Sequence, residues 1–185
     1  MSGWWLVSYV VLWALVALLV VLVVALARQI GLLHVRLGPR GALEMDDEGP
    51  PLGEAPEPAE MEDLTGRPAP IGGPGAPQLL VFVSPSCPMC REVLPSVRPA
   101  ARAGGLKAYA VVDAEAATAR EAYGPELGLP VVASPVLAHD YLIPGTPYAV
   151  VLDAVGVVRA KGTANNLEQL EGLLDTARRR VEAAP

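Results

Sequence analysis

The run Leu79-Leu80-Val81-Phe82-Val83-Ser84-Pro85-Ser86-Cys87-Pro88-Met89-Cys90 leaves this chain few folds to choose from. Leu79 to Val83 is apolar, β-branched and aromatic, the composition of a short buried strand. A polar turn follows, then two cysteines separated by two residues. Pro88 suits the first turn of a helix, where its missing N–H would lack a partner in any case. The spacing therefore sets Cys87 at a helix N-terminus and Cys90 one turn further in. Unpaired N–H groups and the positive end of the helix dipole favour negative charge there. A thiol so placed loses its proton more readily, and the thiolate is the species that attacks disulfides. Cys90 is positioned to attack a mixed disulfide formed on Cys87, so both cysteines are read as catalytic and as one redox disulfide.

Two plainer readings compete. C-x-x-C can be half of a zinc site, but the chain has no third cysteine and only two histidines, His34 and His139, far apart in sequence. A closed four-ligand site would need carboxylates. A structural bridge is the other, but a four-residue loop removes little chain entropy. The redox reading is retained, with no metal and no cofactor expected.

Trp4 to Ala27 contains no charged residue. As a helix it covers about 36 Å, enough to cross a hydrocarbon core of about 30 Å. Trp4, Trp5 and Tyr9 cluster at its start, as interfacial aromatics do. Ala25-Leu26-Ala27 resembles a signal-peptide cleavage site, but Met1-Ser2-Gly3 lacks a basic residue and the apolar stretch is too long for that reading. Residues 1–27 are expected to be an uncleaved transmembrane anchor. Arg28, Arg36 and Arg40 all follow the span, and the positive-inside rule alone would keep the rest of the chain cytoplasmic. Redox logic points the other way, because disulfide chemistry belongs where disulfides persist.

Charge divides the chain into three. Residues 1–43 carry three arginines and no acid, residues 44–63 nine acids and no base, and residues 64–185 eleven of each. The last part is neutral and has no basic face for nucleic acid. Gly41 to Pro77 is rich in Pro, Gly, Glu and Asp and reads as an extended acidic tether, with an acidic docking peptide as the alternative. The expected organisation is an anchor at 1–27, a juxtamembrane segment and linker at 28–77, and a folded domain at 78–185.

Within that domain, Leu106 to Asp113 reads as a second strand, after a break at Gly104-Gly105. Pro95 and Pro99 should kink or end the cysteine helix. Thr118 to Tyr123 is a weak helix and Val131-Val132 a short strand candidate. Tyr148 to Leu152 and Val155 to Lys161 form a hairpin about Asp153–Gly156. Asn166 caps a last helix, with Gln169 at the capping-box position, and Leu167, Leu170, Leu174, Ala177 and Val181 on its apolar face. Strand–helix–strand, then a hairpin and a closing helix, implies an α/β fold, a mixed sheet flanked by helices. A C-x-x-C at its first strand–helix junction reads as thioredoxin-like.

Gly145-Thr146-Pro147-Tyr148 stands directly before the hairpin. An X-Pro bond can be cis at little cost; the plainer reading is a trans proline opening an edge strand. The chain resembles the thioredoxin superfamily, whose cis-proline and preceding Thr face the C-x-x-C and pair with substrate backbone. The resemblance gives Thr146 and Pro147 a substrate-positioning role. Two departures stand out: Ser86 replaces the Trp usual before the first cysteine, and Val81 occupies the place of a buried Asp that assists proton transfer. A dedicated reductase is accordingly less well supported than an oxidant or isomerase. Arg91 and Glu92 read as solvated helix residues, His139 and Tyr141 as structural.

Taken with Ala27-Arg28-Gln29-Ile30-Gly31-Leu32-Leu33-His34, the Gly-Pro linker and the two motifs above, the chain is similar to the MauD family of methylamine utilisation, membrane-anchored thioredoxin-like proteins. The resemblance implies a single-pass protein of the inner membrane with a periplasmic domain. It implies a thiol–disulfide oxidoreductase acting on an exported cysteine-containing client, the methylamine dehydrogenase small subunit, together with a membrane redox partner. Alternative functions are a reductant for cytochrome c maturation and a non-enzymatic client-binding or copper assembly module.

Overall fold

The computed structural model describes residues 3–36, 48–124 and 127–184, which divide into two units, Met1–Gly38 and Pro39–Pro185. The first is a single helix, α1 (Gly3–Arg36). Its segment Gly3–Val24, of mean hydropathy 3.0, is long and apolar enough to cross a membrane. The side chains of the Ala27–His34 motif, and linker residues 37–47, lie outside the described residues.

The second unit runs β1 (Gln78–Val83), α2 (Pro88–Ala103), β2 (Lys107–Val112), α3 (Ala116–Ala122), β3 (Val131–Ala133), α4 (Pro135–Asp140), β4 (Tyr148–Leu152), β5 (Val158–Thr163) and α5 (Leu167–Glu182). The sheet order is β3-β2-β1-β4-β5. β1 is central, parallel to β2 and antiparallel to β4, and β3 is parallel to β2. All six β1 residues are buried, which explains a continuous apolar run where a half-exposed strand would alternate. Leu79, Val81 and Val83 point into a core shared with Val93, Val97 and Leu170. Leu80 and Phe82 point into a second core with Tyr141, Tyr148 and Ile71.

Three expectations are revised. Helix α2 does not end at its prolines: it runs through Pro95 and Pro99 to Ala103. Each interior proline removes one backbone bond, but both face solvent, while Cys90, Val93, Leu94, Val97, Ala100 and Ala101 are buried on the opposite face. The apolar face of α5 is centred on Leu170, Leu173 and Ala177, and Leu167 and Val181 are exposed. The cap expected there is present: Asn166 Oδ1 accepts from the Gln169 N–H at 2.9 Å, though Gln169 Oε1 reaches back to Asn165 N–H at 2.7 Å.

The third revision concerns the tether. From residue 48 onward it is folded against the domain. Val158, in edge strand β5, exchanges backbone bonds of 2.9 Å with Gly53 and Glu54. Leu64 N–H donates to the Val131 carbonyl in the opposite edge strand β3 at 2.8 Å. In between, Ala59 and Ile71 exchange two bonds of 2.9 Å. Ala69 and Ile71 are buried, with Leu52, Ala59 and Met61 partly so, against the second core. Averaged composition hid this, because a few apolar side chains suffice when the sheet face beneath is open and the backbone groups find strand edges.

Candidate redox site

Cys87 is the N-cap of α2, with extended backbone (φ −90°, ψ 107°), and Pro88 occupies the first turn. The turn before it is held at one carbonyl. Ser84 C=O accepts the Cys87 N–H at 3.1 Å and the Tyr123 hydroxyl at 2.6 Å. Cys87 and Cys90 are joined as a disulfide. Cys90 is fully buried and Cys87 half-buried, so Cys87 is the more accessible of the pair. The Cys90 N–H points at Cys87 Sγ, 3.2 Å away. On reduction that donor faces the Cys87 thiolate, together with the helix dipole, and no acid in the first turn opposes it.

Fifty-nine residues downstream, the Thr146 carbonyl oxygen lies 3.5 Å from Cys87 Sγ. In the disulfide this sulfur bears no hydrogen, so the approach is a contact; a reduced thiol there has an acceptor. The Thr146–Pro147 peptide bond is cis. Pro147 is buried and Thr146 half-buried at the entry to β4, so the topology brings the two motifs together.

Surroundings matter as much. Val81 lies in the same core as Cys90, and among the described residues the only buried polar or charged side chains besides tyrosines are Gln78, Ser134 and Lys161. Among the described residues no buried carboxylate serves Cys90. Burial pushes the Tyr123 phenol up, with Arg91 opposing, so Tyr123 stays a neutral donor to Ser84. Tyr123 was not foreseen as a site residue: it lies 39 positions from Ser84 and belongs to no motif, and Ser84, though within the cysteine motif, was given no role. His139 is exposed, 3.7 Å from Asp140, whereas Tyr141 is core, its ring 5.3 Å from that of Phe82 and tilted 42° to it. No cluster of three metal-ligating side chains occurs among the described residues.

A thioredoxin-like sheet, a Cys-Pro-Met-Cys disulfide at a helix N-terminus and a cis-proline loop against it define a thioredoxin-like thiol–disulfide oxidoreductase. Among solved structures the chain is similar to a putative thiol:disulfide interchange protein DsbE from Chlorobium tepidum, with a TM-score of 0.55 at 16% identity, over 71% of this chain and 99% of that one. No family model matches. The chain is 38% identical over 182 residues to the methylamine utilization protein MauD of Methylobacillus flagellatus, covering 96% of this chain and 88% of that protein. It is 36% identical to MauD of Paracoccus denitrificans, covering 96% and 91%. The chain belongs to the MauD family.

Proposed function

We propose that this protein is anchored by α1 in the cytoplasmic membrane, presents its thioredoxin-like domain on the periplasmic side, and forms or isomerises disulfides in an exported client. The client suggested by the family is the small subunit of methylamine dehydrogenase. Cys87 is the exchanging cysteine, Cys90 the resolving one, and Thr146 and Pro147 position client backbone. In the oxidising direction a client thiolate attacks Cys87 Sγ, the Cys87–Cys90 bond breaks, and Cys90 leaves as a thiolate that takes a proton from water. A second client thiolate then attacks the client sulfur of the mixed disulfide. The client gains a disulfide and the Cys87–Cys90 pair leaves as two thiols, for a membrane partner to reoxidise.

The observation that carries this reading is the access difference within one disulfide: Cys87 half-buried against Thr146, Cys90 closed off. In cells making methylamine dehydrogenase, Cys90→Ser should accumulate mixed disulfides between Cys87 and client, seen by non-reducing electrophoresis and mass spectrometry. Cys87→Ser should accumulate none. Capture by Cys87→Ser, or capture by neither variant, would contradict the reading.

A further inference from the structure

A cavity of about 660 Å³ opens at the β3 edge of the sheet, on the α2 side. Its floor is apolar, with Leu129 and Val131 buried. Its rim carries the guanidinium groups of Arg67, Arg98 and Arg120. Among the described residues none of these three guanidiniums has an ion-pair partner. Asp63, the acid on the rim, is already occupied: its carboxylate accepts from Thr65 N–H, Thr65 Oγ1 and Arg67 N–H. The described rim residues therefore carry three positive charges against one negative, in a domain that over residues 48–185 has eleven bases and seventeen acids.

Gly128 sits at φ +58°, the left-handed region that favours glycine. Arg98 Nη1 lies beside it, 2.6 Å from where a Cβ would stand, and as the end of a flexible side chain it can swing aside. The cavity also leads toward the cysteines. A smaller cleft of about 230 Å³ shares Tyr123 and Gly124 with it and adds Arg91, the residue after Cys90. Tyr123, common to both, donates to the same Ser84 carbonyl that holds the Cys87 N–H. Cys87 and Arg98 are eleven residues apart along α2, about 16 Å, a distance an extended peptide covers in about five residues.

We propose that this arginine-lined track docks an acidic, extended segment of the protein that exchanges disulfides with Cys87, placing its carboxylates within about five residues of its reacting cysteine. The inference rests on Cys87 as the exchanging cysteine. A peptide is favoured over a small anion because the charges are strung along a groove that leads to the redox helix.

The test uses the full chain in nanodiscs and two synthetic peptides, one with four glutamates near a serine, the other with glutamines in their place. Fluorescence anisotropy should show the glutamate peptide binding the wild type and losing about fivefold to tenfold in affinity in Arg98→Gln/Arg120→Gln, as expected of two part-exposed ion pairs. High salt should weaken it similarly. Equal binding of the two peptides, or unchanged binding in the double variant, would overturn the proposal. So would displacement by free glutarate at concentrations near that of the peptide, which would reassign the cavity to a small anion. A second pair with cysteine for serine reports exchange separately: failure of both to exchange would overturn the assignment of Cys87, while the cysteine-free pair still decides whether the track binds acids.

Discussion

Two buried tyrosines show how differently one hydroxyl can count. Tyr123 donates to Ser84 at 2.6 Å and braces the turn that ends in Cys87. The Tyr141 hydroxyl is buried with no hydrogen-bond partner among the described residues, and burial pushes its pKa up to about 12. Tyr123→Phe should therefore cost about 1 kcal/mol of stability, whereas Tyr141→Phe should cost nothing or stabilise, because it removes an unsatisfied buried group. Denaturant titration of the two variants checks the order, and a larger loss at Tyr141 would contradict it. The sign with pH follows. The fold holds the Tyr141 phenol neutral, so its contribution falls as pH rises from about 10 toward about 12 and is constant below. Of the site residues, Cys87 and Cys90 were legible because spacing and Pro88 fix them locally. Thr146 and Pro147 were legible only through a family pattern, since nothing local says what a loop will face. Tyr123 was not legible at all.

Among the elements, strands and helices were legible where a continuous apolar run or a periodic apolar pattern was strong, as in β1 and β2 for the first and α5 for the second. Helix α4 was missed, being six residues long and capped by Ser134, whose hydroxyl accepts from Leu137 N–H at 3.1 Å. The segment from 48 to 77 was misread because Pro, Gly and acids dominate its average while its few apolar residues do the packing. Ile71, 1% exposed, is the sharpest case. Ile71→Ala should destabilise the domain by about 2–5 kcal/mol, the range for a truncated core side chain. A flexible tether would show a change near zero. Thermal unfolding of the full chain in nanodiscs, with and without the substitution, separates the two.

For the whole molecule, the proposed anchoring by α1 raises the question of the side of the membrane on which the Cys87–Cys90 pair would be presented. Three arginines after the span argue for the cytoplasm, while disulfide chemistry belongs where disulfides persist. Alkaline phosphatase fused to the C-terminus should be active, as it needs an oxidising compartment, and a cytoplasmic reporter fused there should be silent; the reverse pattern would return the domain to the arginine rule. Sequence alone left those two arguments balanced, because a charge count cannot weigh the chemistry of a distant domain. The most direct measurement is alkylation of the reduced full chain as a function of pH, with each cysteine followed by mass spectrometry. Cys87, facing the Cys90 N–H at the start of α2, should react with an apparent pKa below the free value of about 8.5, and buried Cys90 should stay protected across that range. Alkylation of Cys90 first, or a Cys87 that titrates at or above the free value, would contradict the assignment of Cys87 as the exchanging cysteine.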